Sequence, residues 1–303
     1  MQVFTHPACL AHDTGPEHVE RPARLLTVLR ALETAHPDLD WQQAPQASRG
    51  QLLRVHEESL LQLVLETEPH GLIALDPDTL LSPGSAEAAL RAAGAGVAAV
   101  DAVLSDRTQR AFCAVRPPGH HATASAAMGF CLFNNIAVAA AHALARHGLE
   151  RVAIADFDVH HGNGTQAIFA QEPRVCFASS HQWPLYPGSG AHNETGIGNL
   201  ANAPLPEGAD GKAFRAVWQN ELLPFLDAFQ PQLLLISAGF DGHRRDPLAS
   251  LQLSADDFAW LTRELVQIAN HQCDGRIVSL LEGGYDLAAL AECSVAHVDV
   301  LRF

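Results

Sequence analysis

An α/β fold built on an open sheet is the class this sequence predicts, and three observations predict it. Short runs of strand formers alternate with amphipathic stretches along the whole chain. Several of those runs exit into loops rich in ionisable residues, where open α/β sheets place their ligands. No linker, repeat or low-complexity tract interrupts the 303 residues, which suffice for one large core, so residues 1–303 are expected to form a single domain.

The elements are read in order as follows. A short strand over Gln2–Phe4 leads into a polar loop holding His12 and His18. A helix follows over Arg21–Thr34, with Pro22 in its first turn and Leu25, Leu26, Leu29 and Leu32 as its inward stripe. A second amphipathic helix is expected over Ser48–Glu66 and a loop over His70–Gly84. Ser85–Leu104 reads as an Ala-rich helix, Ala111–Val115 as a strand, Asn134–His147 as a helix and Val152–Ala155 as a strand. Then come a helix Thr165–Gln171, a strand Arg174–Ser179, a long loop Ser180–Ala203 and a helix Lys212–Phe229. A strand Leu233–Ser237, a helix Ser254–His271, a strand Arg276–Leu281 and a helix ending near Val300 complete the pattern.

Composition bounds the function. Lys and Arg number 19 against 34 Asp and Glu, a formal charge of −15, which argues against a nucleic-acid groove. It is compatible with a cationic substrate, although acidity for solubility alone is common. Six cysteines without a CxxC suggest neither a thiolate zinc site nor a redox pair, and suit a reducing compartment. The first residues carry no basic and apolar leader pattern, and no run approaches 18 apolar residues. The reading is cytoplasmic, without a membrane partner.

The stretch Val152–Thr165 concentrates the chemistry. Asp156, Asp158 and His160 stand at a strand exit with a spacing of two, so Asp158 and His160 share a face and Asp156 lies just behind. Two carboxylates and an imidazole at an apolar sheet edge call for a compensating cation. Their donor types suit zinc, or less selectively Mn²⁺, Fe²⁺ or Co²⁺. Acidic strand ends also bind Mg²⁺ or cap helices, but nucleotide-type Mg²⁺ sites rarely recruit imidazole. Asp241, at the exit of the strand Leu233–Ser237, is the natural third ligand. His120 and His121 follow Pro117-Pro118-Gly119, a stiff turn that brings tandem imidazoles to another strand end.

Read together, RPPGHHA, DFDVHHGNG, SSH, GFDGHRRDP and EGGY, in that order, resemble the histone deacetylase family, including its bacterial members, acetylpolyamine amidohydrolases and acetoin-utilisation proteins. The resemblance runs from about Gln2 to Val300. It implies the arginase/deacetylase fold, a mainly parallel central sheet with helices on both faces, and one deacetylase catalytic domain. It also implies one zinc per chain on Asp158, His160 and Asp241, the tandem histidines His120 and His121, and a transition-state tyrosine at Tyr285. Asp156 matches the aspartate that orients the first histidine. Asn163 stands where class I members have aspartate and class II members asparagine, which makes the chain class II-like and His121 less firmly held as imidazolium.

The same resemblance puts Gly129, Phe130 and Tyr186 along an acyl-lysine channel, with Tyr186 facing Phe130. It gives potassium to Asp156, Asp158, His160, Ser179 and Ser180, and a second such ion to the backbone carbonyls of Phe169, Glu172 and Val175. Arg24 matches an arginine of the internal acetate exit; an exposed arginine at a helix start is the alternative. The expected reaction is metal-assisted hydrolysis of an acyl-lysine amide in a protein or peptide, or of a small acetylated amine. Arginase-like Mn²⁺ chemistry is disfavoured, because Gly162 and His243 stand where its second metal needs carboxylates. Leu248, after Asp246-Pro247, disfavours a polyamine substrate, whose selective relatives carry glutamate there. A non-catalytic acyl-lysine binder would have lost a ligand or the tyrosine. Self-association is left open.

Overall fold

In the computed structural model, which describes residues 1–303, eight strands form one sheet. Across the sheet they are Asp40–Gln43 (β2), Gln2–Thr5 (β1), Arg110–Cys113 (β5), Ile277–Leu281 (β10), Leu233–Ala238 (β9), Val152–Asp156 (β6), Val175–Gln182 (β7) and Leu200–Leu205 (β8). Every neighbouring pair is parallel. Two-residue strands Ile73–Ala74 (β3) and Leu80–Leu81 (β4) make a separate antiparallel hairpin. Every residue of β5, β6, β7, β9 and β10 is buried. Burial on both faces is why runs such as Leu233–Ile236 are continuously apolar rather than alternating.

Helices cover the sheet in two groups. Pro22–Ala35 (α1), Ala255–Gln272 (α9) and Leu287–Leu301 (α10) pack together, and Ser85–Leu104 (α4) packs with Asn135–His147 (α5). Both α4 and α10 touch β5. The caps follow the sequence: Asn134 accepts from the N–H of Ala137 to start α5, and Gly148 ends it in the left-handed conformation. Asp286 starts α10 by accepting from Ala289 N–H, so the helix begins immediately after Tyr285.

The elements depart from expectation in several places. The helix expected over Ser48–Glu66 is two helices, Arg49–Leu52 (α2) and Glu58–Leu65 (α3). Tertiary bonds break it without any Pro or Gly at the break. His56 bonds Thr123 O through Nδ1 and accepts Asn134 N–H through Nε2, and Glu57 N–H reaches Ala124 O. The span Lys212–Phe229 is Gly211–Val217 (α7), a π-helical turn Trp218–Leu222 and Leu223–Ala228 (α8). Pro224 sits just after that turn and has no N–H to offer it.

Strands β2 and β8 were not expected. Both are sheet edges: β2 is polar, and β8 contains Pro204, a residue that edge strands tolerate. The stretch Ser180–Gln182, expected as loop, continues β7. The helix expected at Thr165–Gln171 lies at Asn163–Phe169 (α6).

Candidate active site

The exits of four adjacent strands, β5, β10, β9 and β6, surround one point. Beyond β6 the chain bends at Asp158–His160 instead of running on extended as the spacing predicts, with Asp158 N–H donating to Asp156 Oδ1 and His160 N–H to Asp158 Oδ1. Phe157 packs against Phe240, Phe258 and His297, while the side chains of Asp156 and His160 meet His120 and Asp241. His160 Nδ1 lies 3.2 Å from Asp158 Oδ1 and 3.1 Å from Asp241 Oδ2, and the donor atoms of the three residues lie within 4.8 Å of one another. The backbone holds these carboxylates from behind. Val159 N–H donates to Asp241 Oδ1 at 2.9 Å, and Gly283 N–H to Asp158 Oδ2 at 2.8 Å.

Charge at this point is unbalanced. Asp156, Asp158, Asp241 and Glu282 are all buried within the same cluster as His120 and His160. Without a cation, burial works against charge on His160, but Asp158 and Asp241 outweigh it and push the imidazole up to about 10. Asp158 and Asp241 thus face one ring nitrogen together, an excess of buried negative charge that a divalent ion would balance. Two carboxylate oxygens and an imidazole nitrogen are a donor set that fits zinc with coordination positions left over.

The tandem histidines differ sharply. His120 Nδ1 pairs with Asp156 Oδ2 at 3.0 Å; burial opposes its charge, yet Asp156 and Asp158 prevail and push it up to about 10. His121 Nδ1 bonds Asn163 Oδ1 at 2.8 Å. Asn163 Nδ2 faces His121 O and Met128 Sδ, so Oδ1 accepts, Nδ1 carries the hydrogen and Nε2 keeps a lone pair. Burial first, then the charges of His120 and His160, hold His121 well below the usual imidazole value. Glu282 fixes the turn, its Oε2 accepting from Gly119 N–H at 2.7 Å and His120 N–H at 3.1 Å.

A cavity of about 240 Å³ opens onto this cluster, lined by Asp78, His121, Gly129, Phe130, His160, Leu185, Tyr186, Leu248 and Tyr285. Gly129 has φ +56°, and a Cβ there would stand 2.4 Å from Cδ2 of His121, so only glycine lets the wall approach the imidazole. Tyr285 sits on the turn after β10, its N–H donating to Asp246 Oδ2 at 2.7 Å, and burial pushes its phenol well above the usual value.

The fold, the charge cluster and the cavity now meet the comparisons. Residues 18–301 match the model of the histone deacetylase domain. The chain belongs to the histone deacetylase family. It is 41% identical over 300 residues to the histone deacetylase-like amidohydrolase of Pseudomonas aeruginosa, covering 97% of this chain and 78% of that one. It is 39% identical to the human polyamine deacetylase HDAC10 over 93% of this chain and 44% of that protein. The crystal structure of the HDA15 HD domain superposes with a TM-score of 0.94 at 35% identity, covering 99% of this chain and 87% of that one. The fold is therefore the arginase/deacetylase fold, and the chain is an amide hydrolase.

Within this histone deacetylase fold the expected residues fall as follows. His120, His121, Asp156, Asp158, His160, Asn163, Asp241 and Tyr285 gather at one end of the sheet. Phe130 and Tyr186 both line the cavity; Phe130 packs edge-on against Tyr285 at 5.8 Å, and Tyr186 edge-on against His121 at 5.2 Å. Arg24 is buried, which removes the exposed alternative. Its guanidinium donates to Gly284 O and Glu282 O, both at 2.6 Å, and pairs with Glu20.

Ser179 bonds His181, and the hydroxyl of Ser180 accepts from Trp218. The carbonyls of Phe169, Glu172 and Val175 all receive the side-chain amide of Asn199. His161, second of its pair, turns away to Ser189 and Gln166. His12, His18 and His243 do not line the cavity; His18 backs Phe130 at 4.9 Å. Sequence reasoning missed Asp78 and Leu185 in the lining. It quoted Asp246 and Glu282 inside motifs without a role, although a carboxylate beside a strand exit was a signal that could have marked both.

Proposed function

We propose that this chain is a zinc-dependent deacetylase that hydrolyses an N-acyl amide on an aliphatic amine, with the side chain of an acyl-lysine as its best substrate. The observation that carries the reading is the convergence of His160, the free Nε2 of His121 and Tyr285 at the base of one apolar-walled cavity. Asp158, His160 and Asp241 would hold one zinc. When bound, it would polarise the scissile carbonyl and acidify a water beside it.

The rest of the chemistry falls to protein groups. His121, neutral and with Nε2 bare, takes the proton of the attacking water and returns one to the departing amine. His120, charged against Asp156, supplies a positive field and keeps its neighbour neutral. The Tyr285 hydroxyl, held protonated by burial, donates to the oxygen on which charge develops. Phe130, Tyr186, Leu248 and Gly129 surround the aliphatic stem. Arg24 braces the Tyr285 turn from below and borders the region where acetate would leave. Asp156, Asp158, His160, Ser179 and Ser180 would hold a potassium ion behind the zinc; the buried excess of carboxylate supports this. Six free, buried cysteines and the absence of any helix long and apolar enough to cross a membrane suit a cytoplasmic setting.

A polyamine substrate stays the second reading because of Asp78. Leu248 offers no charge to a distal ammonium, but the Asp78 carboxylate lies in the cavity lining and could accept from that ammonium or from a peptide N–H. Steady-state hydrolysis of an acetyl-lysine peptide beside N-acetylputrescine, with zinc-loaded and chelated protein, decides between them. Chelator-sensitive cleavage favouring the peptide is expected. Preference for N-acetylputrescine would transfer the assignment to polyamines, and cleavage of neither would sink the acyl-amine reading.

A further inference from the structure

The family resemblance leads one to expect a second monovalent ion among the carbonyls of Phe169, Glu172 and Val175. A side chain of this protein already stands there. Asn199 Nδ2 lies 2.8 Å from Phe169 O, 3.1 Å from Glu172 O and 2.9 Å from Val175 O. Asn199 is buried, and its Oδ1 accepts from Ile197 N–H at 3.3 Å. That bond fixes the orientation of the amide: reversed, an oxygen acceptor would confront three acceptors.

Local backbone delivers the amide to this point. Gly196 has φ +59°, and a Cβ there would stand 2.6 Å from Asn199 Oδ1 and 2.9 Å from Ala170 O. The turn Thr195–Asn199 then feeds directly into edge strand β8. Glu172 N–H already donates to Phe169 O and Val175 N–H to Glu172 O, and each carbonyl keeps a second lone pair. Phe169 is the last residue of α6, and the –NH₂ group meets the remaining lone pairs with two hydrogens shared among three oxygens. An ion bonded to the same three oxygens would have to occupy the position of Nδ2, because carbonyl clusters of this kind bind potassium by replacing its water shell.

We propose that Asn199 takes the place of the second monovalent cation, so that the end of α6 is held by a neutral amide and needs no potassium. The consequence reaches the active site, because α6 begins at Asn163, the partner of His121. The proposal is independent of the substrate reading, since its test counts ions and does not measure turnover.

The test is anomalous diffraction from crystals of zinc-loaded wild type and Asn199→Ala grown with thallium(I) acetate in place of potassium. Wild type is expected to show no thallium bonded to Phe169 O, Glu172 O and Val175 O, and a peak there overturns the proposal. Asn199→Ala is expected to gain that peak. It should also gain a rise in Tm on the order of 5 °C, beyond any shown by wild type, when potassium chloride replaces choline chloride at equal ionic strength. A folded variant with neither response would make Asn199 an ordinary structural amide and refute the substitution. Should Asn199→Ala fail to fold, Asn199→Ser shortens the donor and is put through the same two measurements, and a thallium peak in wild type still overturns the proposal.

Discussion

Replacing Asn163 by Asp puts a carboxylate where a neutral amide now accepts from His121 Nδ1 at 2.8 Å. The new charge would stand roughly 4 Å from the centre of the imidazolium charge. At an effective dielectric of about 20 that attraction is about 4 kcal/mol. It corresponds to an upper limit of about 3 pKa units, within the range of about 1–3 seen for such neighbours. His121 acts as a base only when neutral, and raising its pKa confines the neutral form to higher pH. The acidic limb of the kcat/KM profile for an acetyl-lysine peptide should therefore move up by about 1–3 pH units, with little change on the alkaline side. The variant must keep the zinc content and Tm of wild type for the comparison to hold. An unmoved acidic limb in such a variant would show that His121 is not the base whose protonation limits turnover.

Tyr285→Phe removes the donor to the developing oxyanion without touching the three metal donors. It should cost about 10²–10³ in kcat at unchanged zinc content by elemental analysis, and equal turnover would exclude that role. Gly129→Ala forces a Cβ against the His121 ring and adds left-handed backbone strain of about 1–2 kcal/mol. Zinc should stay bound while kcat falls at least tenfold; normal kcat would mean that the wall yields and does not set the imidazole. Asp246→Ala strands the N–H groups of Tyr285 and Leu248, which its carboxylate now accepts at 2.7 and 3.0 Å. A loss of about 2–3 kcal/mol is expected, read as a Tm lower by roughly 4–8 °C. Loss of kcat beyond any change in KM would accompany it, because the turn that aims Tyr285 is released.

The candidate site was legible in the sequence because its residues cluster in short motifs at strand exits. Asp156, Asp158 and His160 stay neighbours even though the chain bends after Asp156, and buried parallel strands declare themselves as unbroken apolar runs. What escaped depends on contacts distant in sequence. Nothing near His56 signals that Asn134, 78 positions later, will break a helix there. Edge strand β8 hides behind Pro204, and Asp78 enters the cavity only through the placement of a two-residue hairpin. The aromatic walls show the same limit. Phe130 and Tyr186 were placed at the channel by motif, but the partner of each ring is set by three-dimensional packing. Asn199 is the extreme case, since its meaning resides in three carbonyls 24 to 30 residues away.

In the proposed mechanism two adjacent residues of one type take opposite roles, and the cause lies in what stands behind each ring. His120 and His121 share a backbone turn, with ring centroids 4.0 Å apart. One rests on the end of β6, where Asp156 is fixed by the sheet; the other rests on the first residue of α6, where Asn163 offers the same hydrogen bond without a charge. The difference between these partners is one ionisable oxygen. Burial opposes charge on both rings; Asp156 and Asp158 overcome it at His120 and push that ring up to about 10, while His121, with no carboxylate partner and beside the charge of His120, is held well below the usual value. A site with two charged imidazoles would have no base, and one with two neutral imidazoles would lack the positive field beside the developing oxyanion. The strand end and the helix start that supply these partners belong to a single β6–α6 connection. In the proposed mechanism that connection would set the metal donors Asp158 and His160 and the acid–base division together, in eight residues from Asp156 to Asn163.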